Sequence, residues 1–101
     1  MRDNPLEDLG KRRSEGRRMS IRDLKTFLAV VEHGSFAGAA TAVRRSQSAI
    51  TAQMRALEEE VGFPLFDRSK RPPLLNDAGR AFASKAAQAV QGYDSLFEDP
   101  A

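Results

Sequence analysis

Between Ser46 and Arg55 the chain reads SQSAITAQMR, in which Gln47, Ser48 and Thr51 are short, polar and uncharged, while Arg44, Arg45 and Arg55 supply cations around them. Side chains of the first kind can exchange hydrogen bonds with base edges, and guanidinium groups meet phosphates. The combination therefore suits the major groove of DNA, into which one α-helix fits. Other chemistry is poorly provided for. The chain has no cysteine and a single histidine, His33, which excludes disulfides and thiolate metal sites and leaves no His pair for a metal or a catalytic cluster. No enzyme activity, metal or cofactor is expected.

Helices must position these groups. Ser35 is a good N-cap for a helix whose Phe36, Ala39, Ala40 and Val43 form an apolar stripe, with small residues that let another helix come close. Arg44 and Arg45 fall in a short turn, and Ser46 can cap the next helix, which Gly62 ends after Val61. On that helix Ile50, Met54, Leu57 and Val61 recur at helical spacing and face inward, so Gln47, Ser48, Thr51, Ala52 and Arg55 face outward. In a helix-turn-helix these are the positions that enter the groove; the plain alternative is a solvated polar face. Upstream, Ser20 and Asp23 have capping-box spacing, Leu24, Phe27, Leu28 and Val31 follow as an apolar stripe, and Gly34 supplies the stop.

Downstream, Phe63, Leu65 and Phe66 alternate as a strand does, Leu74 and Leu75 can return as a second strand, and Arg68, Lys70 and Arg71 lie near the tip between them. Pro72 and Pro73 lack backbone donors and keep the pairing short. Such a hairpin is a basic wing able to touch phosphates or the minor groove, or else a plain exposed hairpin. Asn76 then caps a last helix, on which Phe82, Ala86, Val90, Tyr93, Leu96 and Phe97 recur at helical spacing over more length than a small core needs. That stripe predicts an antiparallel helix pair between two subunits; a helix folded back on its own domain is the alternative.

Length and charge agree with this reading. A chain of 101 residues supports one small domain whose core gains from burial against a partner. Of the net charge of +2, all lies in residues 1–20, with six Lys or Arg against four acids; the remainder is neutral overall and relies on local patches to attract a polyanion. Residues 1–18 have few large apolar side chains and are expected to be a disordered basic extension. They read either as an upstream leader or as an arm tracking phosphates through Lys11, Arg12, Arg13, Arg17 and Arg18. Residues 19–76 form the expected winged helix-turn-helix and 77–98 the linker helix. No apolar run approaches the roughly 20 residues of a membrane span, and no secretory signal is legible, so the cytoplasm is the expected compartment and no membrane partner is expected.

The order LKTFLAVVEHGSFAGAATAV, then SQSAITAQMRALEEEVGFPLFDRS, then LLNDAG resembles the N-terminal winged helix-turn-helix domain of LysR-type transcriptional regulators with its linker helix, over about Ser20 to Phe97. The resemblance implies a bacterial, sequence-specific, mainly α DNA-binding domain that dimerises through the linker helix and reads an interrupted inverted repeat. In that family the domain usually precedes an effector-binding module; no small-molecule site is expected within this chain. Carried over by position, Gln47 and Thr51 match residues facing bases or nearby phosphates, and Gln53 matches a common glutamine. Ser35 and Phe36 match the turn whose helix N-terminus meets the backbone, and Arg68 and Arg71 match basic wing positions. The chain departs from the family pattern at Ser48, where proline is common, at Ala52, where a cation is frequent, and at Arg45, where the residue is usually apolar. The expected DNA-contacting set is therefore Ser35, Phe36, Arg44, Arg45, Ser46, Gln47, Ser48, Thr51, Gln53, Arg55, Arg68, Lys70 and Arg71. A second reading, in which the chain pairs with and sequesters a longer relative through its linker helix, follows from the same apolar stripe.

Overall fold

Four helices and a two-stranded hairpin follow one another along the chain in the computed structural model, which describes residues 19–100: α1 Ile21–His33, α2 Phe36–Val43, α3 Gln47–Val61, β1 Phe66–Asp67, β2 Leu74–Leu75 and α4 Asp77–Ser95. The proposed basic extension, residues 1–18, lies outside the described residues.

Each helix begins where a short polar side chain can satisfy an orphan N–H. Ser20 and Asp23 form the reciprocal capping box of α1, Ser35 Oγ accepts from Gly38 N, Ser46 Oγ from Ala49 N, and Asn76 Oδ1 from Gly79 N. The ends are equally local. Gly34 and Gly62 close α1 and α3 in the left-handed region, with φ of 71° and 91°. Arg44 closes α2 at φ 60°, ψ 50°, a conformation that costs a residue with a Cβ about 1–2 kcal/mol.

The core lies where α1 crosses the other helices. Phe27, Ile50, Met54, Leu57 and Leu65 are fully buried. Four rings meet edge to face: Phe27 stands 5.8 Å from Phe66 and 5.2 Å from Phe82, and Phe36 5.1 Å from Phe66. In α1 the buried stripe is Leu24, Phe27 and Val30, with Leu28 half-buried and Val31 turned outward, one position away from the expected stripe.

The hairpin is shorter than its sequence pattern suggests. Phe66 pairs with Leu75 and Asp67 with Leu74, antiparallel. Phe63 is exposed rather than part of a strand, and consecutive Leu65 and Phe66 are both buried, because Leu65 still lies in the approach to the strand, against the start of α4. There Gly79 is indispensable. A Cβ at this position would stand 2.1 Å from the Leu65 carbonyl oxygen and 2.9 Å from Leu75 Cδ2, so only glycine lets the first turn of α4 reach the hairpin. Asn76 fastens the same junction, with its N–H donating to Leu65 O at 3.0 Å and its Nδ2 to Pro64 O at 3.1 Å.

The expected subunit-pairing stripe is largely taken up within the chain. Ala86 is buried, and Phe82 and Val90 are half-buried against the same core, because α4 folds back along α1. Lys25 of α1 bonds Asp94 at 3.1 Å and lies 5.9 Å from the Tyr93 ring centroid, which extends that contact. The stripe becomes exposed only at its end, at Tyr93, Leu96 and Phe97, the last two 74% exposed. These two follow the helix proper, in turns whose N–H groups donate to the carbonyls of Tyr93 and Asp94. Among the described residues no helix is long and apolar enough to cross a membrane.

Candidate nucleic-acid interface

On α3 the inward stripe Ile50, Met54 and Leu57 fixes the rotation of the helix, and Gln47, Ser48, Ala52 and Arg55 are exposed on the opposite side, with Thr51 half-buried beside them. Among the described residues, no element covers the polar face that the N-terminal half of α3 presents. Ser46 caps the helix and its hydroxyl lies 3.2 Å from that of Ser48, so part of the hydrogen-bonding capacity of Ser48 is engaged locally. Arg44, Arg45 and Arg55 are all exposed around this face, as are Lys70 and Arg71 on the hairpin tip.

Three of the expected contact residues are placed otherwise. Phe36 is 6% exposed and belongs to the aromatic cluster, so its ring holds α2 to the hairpin and only the backbone of the α2 N-terminus is available at the surface. Arg68 turns inward. Its Nη1 donates to both Glu58 oxygens, at 2.8 and 3.1 Å, and its guanidinium carbon lies 5.6 Å from the Phe66 centroid and 6.0 Å from that of Phe36. Gln53 sits beside Ala49, on the flank between the inward stripe and the outward face, and both ends of its amide are bonded. Nε2 donates to Asp23 Oδ1 at 2.7 Å, and Oε1 accepts from Arg45 Nη1 at 2.7 Å.

Glu58 is the residue that sequence reasoning passed over. Besides holding Arg68, its Oε2 accepts from the backbone N–H groups of Leu65, at 2.7 Å, and Phe66, at 3.2 Å, so one carboxylate ties α3 to the root of the hairpin. Nothing in the run Glu58, Glu59, Glu60 distinguishes the first acid from the others except its place on the helix face that meets the hairpin. At the tip, Asp67 arranges the turn. Its carboxyl titrates below the ordinary range, first because Ser69 Oγ donates to it, then through the Ser69 backbone N–H, with the charge of Lys70 adding in the same direction.

A helix-turn-helix with an exposed polar face on its second helix, a carboxylate-anchored hairpin and a trailing α4 matches one family model. Residues 21–80 match "Bacterial regulatory helix-turn-helix protein, lysR family". The chain belongs to the lysR family. It is 44% identical over 70 residues to the transcriptional regulator TfdT of Cupriavidus pinatubonensis, covering 69% of this chain and 31% of that protein. It is 37% identical over 87 residues to a probable hydrogen peroxide-inducible genes activator of Streptomyces viridosporus, covering 86% of this chain and 28% of the other. Among solved structures, the CbnR DBD–DNA complex superposes with a TM-score of 0.73 at 41% identity, over 77% of this chain and 90% of that one. The lysR-family winged helix-turn-helix expected from the sequence is therefore established, and the relatives are transcriptional regulators, not enzymes. The chain spans about a quarter to a third of the length of these curated relatives.

Proposed function

We propose that this lysR-family chain reads double-stranded DNA in transcriptional control, as a dimer on an interrupted inverted repeat, with the N-terminal half of α3 in the major groove. The observation that carries the reading is the uncovered face formed by Gln47, Ser48 and Thr51 on a helix whose rotation the core fixes, ringed by Arg44, Arg45 and Arg55. Short side chains there can reach base edges, and the longer cations around them can reach the flanking phosphates. Lys70 and Arg71 on the hairpin tip are placed for the adjacent backbone or minor groove, whereas Arg68 serves by holding the hairpin in position. The free N–H groups at the start of α2, where Ser35 already caps Gly38, suit a phosphate.

Dimerisation belongs to the same reading. Tyr93, Leu96 and Phe97 leave an apolar end on α4, and covering it by a second copy in antiparallel fashion sets two α3 helices apart for two half-sites. The compartment that suits this role is the bacterial cytoplasm. The sequestering reading gains nothing comparable, since the similar proteins are regulators and the CbnR neighbour holds DNA. Selection of binding sites from a random duplex pool tests the proposal. Enrichment of a two-fold symmetric consensus is expected, and enrichment of no sequence at any salt concentration contradicts it.

A further inference from the structure

The bonds around Gln53 form a chain from α1 through α3 to the turn. Asp23 uses one carboxylate oxygen in the α1 capping box, accepting from Ser20 N at 2.9 Å, and the other on Gln53 Nε2 at 2.7 Å. The far side of the same amide takes Arg45 Nη1 at 2.7 Å. Chemistry fixes this orientation, because a carboxylate needs the amide's donor and a guanidinium needs its acceptor. Arg45 lines a cleft of about 490 Å³ together with Arg22, Lys25, Thr26 and Val43, so two exposed arginines and a lysine held by Asp94 share its walls.

Resting on the DNA-binding reading above, we propose that Asp23 and Gln53 are positioning residues that hold Arg45 ready for a DNA backbone phosphate at the mouth of this cleft, beside Arg22. An arginine has five N–H donors, and a bond to Gln53 through Nη1 leaves the others available to phosphate oxygens. An arginine already pinned loses less rotamer freedom on binding than one that is free to swing. The intervening amide matters as well. A direct Asp23–Arg45 ion pair would cancel the charge needed at the phosphate, whereas a neutral amide passes on orientation and leaves the guanidinium uncompensated. Arg45 lies two residues before Gln47, so the phosphate it meets flanks the bases that α3 reaches.

Binding of the selected duplex by the wild type, Arg45→Ala, Gln53→Ala, their double variant, Gln53→Glu and Asp23→Asn, each titrated at several salt concentrations, decides the matter. Arg45→Ala is expected to weaken binding about tenfold and to lower the salt dependence by about one phosphate contact. Gln53→Ala weakens it about three- to fivefold with the selected consensus unchanged, and adds nothing in the double variant, since its effect runs through Arg45. Gln53→Glu, which sets a carboxylate on Arg45, weakens binding as far as Arg45→Ala does, while Asp23→Asn, which keeps one acceptor oxygen where the carboxylate uses two, weakens it no more than Gln53→Ala does. Independent effects of Gln53→Ala and Arg45→Ala, or a consensus altered at one base by Gln53→Ala, overturn the proposal. A wild type that binds tightly, with all five variants equal to it, does the same and leaves the DNA-binding reading intact. Absence of binding by the wild type removes that reading and this inference together.

Discussion

The two ends of α3 are built for different tasks. At the C-terminal end Glu58 satisfies two backbone N–H groups and an arginine, and the hairpin it anchors is pressed against α4 through Gly79. At the N-terminal end Gln47 is exposed, and the contacts of Ser46 and Ser48 stay within the first turn. Side chains that fix shape are thus bonded internally, and those placed to meet a ligand stand exposed among the described residues. Arg68 and Arg71 make the same contrast three residues apart. The first is held against Phe66 and Glu58, the second stands in solvent.

Substitutions at the anchored end should cost stability, and those at the free end should cost recognition. The largest stability effect is expected at Gly79→Ala, where a methyl meets a backbone carbonyl and α4 must move: about 3 kcal/mol or more, read as a drop in the thermal midpoint. Glu58→Ala follows at about 2–3 kcal/mol, because two half-buried N–H groups and Arg68 lose their acceptor together, and amide exchange at Leu65 and Phe66 should accelerate with it. In the opposite direction, Arg44→Gly should stabilise the fold by about 0.5–1 kcal/mol by relieving the left-handed φ of 60°, as chemical denaturation can measure. The smallest effect concerns pH. Because folding lowers the Asp67 carboxyl, its contribution to the hairpin turn is complete above the ordinary carboxylate range and fades only as pH falls through its own depressed value. Protection of the Ser69 amide should therefore hold steady through the ordinary carboxylate range and be lost only below it.

This division also marks what could be read in the sequence. Caps and stops were legible because they are local: Ser20, Ser35, Ser46 and Asn76 each act within three residues, and Gly34 and Gly62 end the helices they follow. The inward stripe of α3 was legible because helical spacing enforces it. The partners of long side chains were not. Arg68 has the composition of a wing cation, and only the fold brings Glu58, ten residues away, and the Phe36 ring beside it. Gln53 was carried over by resemblance, although its place on the flank of α3, toward Asp23, sets it apart from Gln47 and Thr51. The α4 stripe read as subunit-pairing from Phe82 onward because periodicity reports that a face is buried, not what buries it. In α4 Ala86 is covered by the chain's own core and Phe82 and Val90 are covered in part, while Tyr93, Leu96 and Phe97 are exposed. Gly79 had a visible signal in its position inside a helix, where glycine otherwise weakens the element.

The central claim is that the free end of α3 reads sequence while the anchored end keeps shape, and Gln47→Ala tests it most directly. Affinity for the selected duplex and for a scrambled one should be measured beside the thermal midpoint. The account predicts a loss of about 1–3 kcal/mol on the selected duplex alone, with scrambled-duplex affinity and the midpoint unchanged. Equal affinity of the variant and the wild type for the selected duplex, or a lowered midpoint that accounts for the whole loss, contradicts it.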